Sequence, residues 1–194
     1  MPPRGISIAA IFAMRTHGPW TIHETVERFT NEFVQVYEDR VTTPSGDAGT
    51  YATATLKPGV AVLAIDTTGA VHLTRQFRYA VGHESIEVAS GAVEHGEAPL
   101  ESAKRELREE LGVVAKEWTN LGLMDVDTSI VRCPVQLFIA RGLQATTTDQ
   151  DPTESIQRIV LPFTRVVEMA MTGAITHAPS CCVILKAAVR GRQR

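Results

Sequence analysis

Hydrophobic and polar positions alternate in short runs over the first part of the chain and take on helical spacing beyond residue 98. Between about residues 22 and 57 two runs read as strands: FVQVYEDRV (33–41) and TYATATLK (50–57). The turn-rich TTPSGDAG joins them. GVAVLAID (59–66) and AVHLTRQF (70–77), separated by TTG, predict a hairpin with a buried first strand. A shorter run, ESIEVA, follows at 84–89. Apolar residues then recur every three to four positions from Pro99 to Leu111, with Pro at the start and Gly112 just past the end, which predicts a helix. VQLFIARGL (135–143) and IQRIVLPF (156–163) are two further strands, and FTRVVEMAMTG (163–173) and APSCCVILKAAVR (178–190) two further helices. This order predicts an α/β fold with a mixed sheet sandwiched between helices.

Length and composition narrow the class. A chain of 194 residues with 44% hydrophobic content can bury a full core and suits one domain with an extension. A net charge of −3 argues against a nucleic-acid surface built on bulk positive charge, and the basic RGRQR at the end is too short to supply one. No stretch approaches the roughly 20 apolar residues of a membrane span. Arg4 precedes a short apolar run without a clean small-residue cleavage site after it. Cys133, Cys181 and Cys182 are too few and too unevenly spaced for a disulfide framework or a zinc site. A cytoplasmic protein is expected, with residues 1–19 as a leader.

The helix from Pro99 carries the chemistry. Leu100, Ala103, Leu107 and Leu111 fall on one stripe, the expected core face. Glu106, Glu109 and Glu110 stand at i, i+3 and i+4, so their carboxylates converge on an adjacent face and repel by a few tenths of a kcal/mol per pair. Arg105 is placed to pair with Glu109 and Glu101, and Arg108 lies nearby. A solvated acidic face would account for such a helix; so would a divalent cation, which takes oxygen ligands. The preceding SGAVEHGE adds two glycines and Glu97, bringing loop oxygens towards the same cluster.

The spacing is specific. Gly91, Glu97, Arg105-Glu106, Leu107, Glu109-Glu110, Gly112 and Val113 meet all nine constrained positions of a 23-residue pattern, and this stretch resembles the Nudix hydrolase signature. The resemblance implies the Nudix α/β/α sandwich with a mixed sheet, plus an N-terminal antiparallel β extension. It implies hydrolysis of a diphosphate linked to another moiety, with Mg²⁺ (or Mn²⁺) as cofactor, two or more ions per site. Glu106, Glu109 and Glu110 would be metal ligands, Glu97 a ligand or its neighbour, and the Ser90 carbonyl a further ligand. Arg105 would orient the glutamates, its alternative being a surface ion pair.

LTRQFRYAVGHESIEVASGAVEHGE (73–97) is similar to the branch that cleaves ADP-ribose and nucleoside diphosphate sugars. There Arg75, Arg78 and Glu87 match substrate-binding positions, and Arg78 would meet a substrate phosphate or a terminal ribose. The segment from 151 onward resembles the end of the same branch, where an acidic loop supplies a general base. Glu154 matches best, with Asp151 beside it. Residues 20–57 resemble an extra sheet used for homodimer assembly, in which Trp20 either stacks on the nucleotide base or anchors the dimer. The Nudix domain itself would span 58–190 and a basic tail 191–194.

The pattern breaks at MDVDTSIVRCPVQLF (124–138). ADP-ribose enzymes usually carry Ser/Thr-Pro-Gly and then a glutamate here, whereas Ser129 and Cys133 stand near those places and the Pro comes at 134. The expected function is therefore Mg²⁺-dependent hydrolysis of ADP-ribose or a related nucleoside diphosphate sugar. The alternatives are another nucleotide (a dinucleoside polyphosphate, NADH or a modified nucleoside triphosphate) and a catalytically silent nucleotide-sugar sensor. Asp127 and His177 read as structural.

Overall fold

The computed structural model describes residues 10–11, 14–147 and 156–191. Its elements in chain order begin with five strands: β1 (Ala10–Ile11), β2 (Arg15–His17), β3 (Trp20–Thr30), β4 (Val34–Thr42) and β5 (Ala48–Leu56). β6 (Gly59–Ile65), β7 (Ala70–Arg78), β8 (His83–Glu87) and β9 (Ala89–Ala92) lead into α1 (Pro99–Leu111). β10 (Val113–Asp125), β11 (Val131–Arg132), β12 (Pro134–Ala145) and β13 (Gln157–Pro162) precede α2 (Phe163–Thr172) and α3 (Ala178–Gly191). No described helix is long and apolar enough to cross a membrane.

The chain forms two compact units, one of residues 1–57 with 127–133, the other of 58–126 with 134–194. The first holds a sheet in the order β1-β3-β4-β5-β11, with β2 on β3. β3, β4 and β5 are an antiparallel meander, and β11 adds to β5 in parallel. Ile22, Val26 and Val41 are its buried apolar residues. The segment 124–138, where the sequence pattern breaks, sends Val131–Arg132 into this sheet. Tyr51 Oη donates to the Ser129 carbonyl at 2.5 Å, and Asp127 accepts from the Ser129 backbone and hydroxyl, each at 2.6 Å. Those bonds hold Asp127 below the usual carboxylate range.

The second unit holds a mixed sheet ordered β10-β12-β6-β7-β13, in which β6 and β12 run parallel. β6 is central and buried along nearly its whole length, which is why it reads as a continuous apolar run. Its Val60, Val62 and Ala64 pack with Ala103, Leu107 and Leu111 of α1. Ala61, Leu63 and Ile65 alternate to the opposite face, also buried. α3 contacts β6 and β12, and α2 contacts β7 and β13. Because Leu107 is fully buried in the α1 cluster, Leu107→Ala is expected to destabilise this unit by about 2–5 kcal/mol, read as a drop in the denaturation midpoint.

The predicted helix forms with the predicted ends. Pro99 occupies the first turn; Gly112 closes α1 at φ 60°, a left-handed conformation that Gly takes without a Cβ penalty, and its N–H bonds the Arg108 carbonyl. Arg158 donates to the Leu111 carbonyl at the negative end of the helix. β10 had no counterpart among the predicted strands. It is an edge strand with one partner, β12, and a bulge between Asn120 and Gly122, so tertiary pairing sustains it without clean alternation.

Candidate active site

The site is assembled where two strands part company. β6 and β7 pair only at Ala64–His72 and Ile65–Val71; beyond that β7 takes β8 as its partner and β6 takes β9. The splay opens a cavity of about 520 Å³. The β6 side contributes Gly59, Val60, Ser90 and Gly91; the β7 side contributes Arg78, Ser85 and Glu87. Thr176 to Pro179, leading into α3, complete the wall with Val135.

Glu87 is 2% exposed, and its charge survives burial because Arg78 grips it with two bonds, Nε to Oε1 at 3.0 Å and Nη2 to Oε2 at 2.6 Å. Burial pushes the Glu87 carboxyl up. The Arg78 bonds outweigh that effect, helped by the Arg78 charge and, where its ring is protonated, by His177, and bring it below its ordinary 4.5. A carboxylate with a lowered folded-state pKa stabilises the fold above the unfolded value, and that contribution disappears as pH falls through the lowered one. Melting temperature should therefore decline below pH 4.5, and less steeply in Glu87→Gln than in the parent. Equal slopes would remove this pair as a source of acid sensitivity.

Beside the cavity, α1 presents the glutamates. Arg105 lies among them: Nη1 donates to Glu106 at 2.6 Å and Glu109 at 3.0 Å, and Nη2 to the Ala92 carbonyl at 2.9 Å and Glu97 at 3.4 Å. The expected Arg105–Glu101 pair does not form; Glu101 pairs with Lys104 at 2.8 Å. Burial works against the Arg105 charge, but Glu97, Glu106 and Glu109 outweigh it and raise its pKa. Glu97 also accepts the Ser102 hydroxyl at 2.6 Å, and this bond, then Arg105, draws its carboxyl down. Glu110 is 4% exposed and accepts the Ser90 N–H at 3.0 Å, tying α1 to β9.

Gly91 explains its own identity. A Cβ built on it would overlap the Glu106 carboxylate, so only glycine lets that carboxylate lie against β9. Among the described residues no three carboxylate, imidazole or thiolate groups converge as cation ligands do; Glu97, Glu106 and Glu109 converge on Arg105 instead. The donor set nonetheless fits a hard divalent cation. Carboxylate oxygens and a strand carbonyl are the ligands such ions take, and the space above Gly91 is kept for one of those carboxylates.

A NUDIX domain profile matches residues 55–179. The chain belongs to the Nudix family. It is a Nudix hydrolase. It is 27% identical over 147 residues to an ADP-ribose pyrophosphatase of Bacillus subtilis (strain 168), spanning 76% of each chain. It is 30% identical over 116 residues to an ADP-ribose pyrophosphatase of Mycobacterium tuberculosis (strain ATCC 25618 / H37Rv), covering 59% of this chain and 56% of that one. The fold superimposes on the crystal structure of an ADP compounds hydrolase with a TM-score of 0.78, at 17% identity, over 92% of this chain and 98% of the other.

The expected site residues separate into groups within this Nudix fold. Arg78, Glu87 and Ser90 line the cavity, and Ser90 is bonded through its N–H to Glu110 of the Arg105-centred glutamate face. Arg75 is three positions from Arg78 on β7, so alternation directs it to the other face of the strand. Trp20 lies in the first unit, edge-on to Tyr51 with ring centroids 5.5 Å apart. Glu154 and Asp151 lie outside the described residues. His177, read as structural from the sequence, stands on the cavity wall 3.4 Å from Glu87. Its distance along the chain hid it: only the lead into α3 brings it there.

Proposed function

We propose that this Nudix hydrolase cleaves the diphosphate of ADP-ribose or a related nucleoside diphosphate sugar, giving a nucleoside monophosphate and a sugar phosphate. The observation that carries the reading is the glutamate face of α1, set against Gly91 and next to the cavity that Ser90 and Gly91 line. Two relatives named ADP-ribose pyrophosphatase support the substrate class. Glu106, Glu109 and Glu110, with the Ser90 carbonyl, would hold Mg²⁺ or Mn²⁺. A cation bound there supplies charge neutralisation on the diphosphate and a lowered pKa for the attacking water.

The chain's own residues do the remaining work. Arg105 fixes the carboxylates of Glu106 and Glu109 while its other bonds tie it to Ala92 and Glu97. Glu97 joins the loop to the first turn of α1 through Ser102, so its role is to position that loop. Arg78 and Glu87 form one end of the cavity as substrate-binding groups. Glu154 is assigned as the general base on the resemblance alone. Dimerisation is assigned to the first unit, whose Phe29 and Phe33 are largely exposed.

A panel of ADP-ribose, GDP-mannose, UDP-glucose, a dinucleoside polyphosphate and NADH, assayed with Mg²⁺ for product release, tests the proposal. Preference for a nucleoside diphosphate sugar is the expected result. Preference for the dinucleoside polyphosphate or NADH would overturn the substrate class, and binding without turnover on any member would make the chain a sensor.

A further inference from the structure

We propose that His177 positions the glycosyl half of the substrate through its ring Nε2, with Ser180 holding the imidazole in place. The proposal rests on the hydrolase reading above and adds a residue to it. Ser180 is fully buried, and its hydroxyl accepts the Val88 N–H at 3.0 Å while lying 2.8 Å from His177 Nδ1. One side chain thus ties α3 both to the strand segment carrying Glu87 and to the imidazole. The Cys181 N–H bonds the His177 carbonyl at 3.0 Å, fixing the backbone from which the ring projects. Nδ1 is therefore committed to Ser180 and faces Glu87 at 3.4 Å. Among the described residues Nε2 has no hydrogen-bond partner, and His177 lines the cavity.

The chemistry of the wall selects the ligand. Among the described residues Arg78 and Glu87 are its formally charged members, and they are bonded to one another, so the cavity presents no net positive charge for a phosphate. No Phe, Tyr or Trp among the described residues lines it, so it offers a nucleobase no stacking platform. The wall is mostly apolar, and Ser85, Ser90, Thr176 and His177 set donors and acceptors into it beside the Arg78–Glu87 pair. A neutral polyhydroxy group matches that set. A sugar hydroxyl also suits either imidazole tautomer, because it can accept from Nε2–H or donate to bare Nε2.

The substrate of the panel that the unaltered chain turns over fastest serves as the probe, together with its two products as inhibitors. His177→Ala and His177→Phe are each expected to raise KM roughly three- to tenfold, the value of one neutral hydrogen bond. kcat should stay within about twofold, as for lost binding that is equal in ground and transition states. His177→Gln, which can place an amide where Nε2 stands, should restore most of the KM. The sugar phosphate should inhibit the Ala and Phe variants more weakly by a similar factor, with inhibition by the nucleoside monophosphate unchanged. Parental KM in His177→Phe would mean that the ring only fills space, and weakened nucleoside monophosphate binding would assign the cavity to the other half; either overturns the proposal. No turnover of any panel member by the unaltered chain removes the hydrolase reading and this proposal together, whereas turnover with unaltered KM in all variants removes only the role of His177.

Discussion

Glu110→Gln is expected to lower the rate of diphosphate hydrolysis by about 10²–10³-fold, the scale of losing one preorganised electrostatic group in a reaction centre. The fold should tolerate the change. Glu110 is 4% exposed and accepts the Ser90 N–H, which an amide oxygen of the same shape also does. Stability should therefore stay within about 1 kcal/mol of the parent. Circular dichroism and thermal unfolding beside the kinetics separate the two effects. Retained activity would take Glu110 out of the proposed metal site, and loss of both activity and fold would make its burial purely structural.

Gly91→Ala should produce the second large loss, by a different route. The added methyl group would occupy the place of the Glu106 carboxylate. That carboxylate is the far end of a flexible side chain, so it can swing aside without moving backbone, and folding stability should fall by only about 1–3 kcal/mol, as for other overpacked positions. Swinging aside takes Glu106 away from β9 and out of its bond with Arg105, and the rate should drop by about 10²-fold or more. Near-parental rates in a folded Gly91→Ala chain would show that Glu106 acts from some other position. The pair of variants tests the site from both sides, one through charge and one through space.

Much of this was legible from local sequence. The stripe of Leu100, Ala103, Leu107 and Leu111, bounded by Pro99 and Gly112, specified α1 because its signals lie within one element. The apolar run of β6 likewise reflected burial on both faces. What escaped was set by pairing between distant segments. β10 is held by β12 and needs no alternation of its own, and β11 joined the first sheet although the surrounding loop gave no strand pattern. The glutamate spacing was readable, but not the position of Arg105 among Glu97, Glu106 and Glu109, because that depends on how the loop before α1 folds back. The cavity exists because β6 and β7 splay, a property of register, and His177 enters it only through the packing of Ser180 against Val88.

On the proposed reading, the glutamate face of α1 makes hydrolysis depend on a divalent cation. Mg²⁺ titrated into metal-free chain, with product release followed from the fastest substrate of the panel, tests it most directly. Turnover in the unaltered chain should rise from near zero and saturate, while Glu110→Gln stays close to the baseline across the same range. Equal turnover in the presence of a chelator, or a Glu110→Gln titration that follows the parent, would contradict the account.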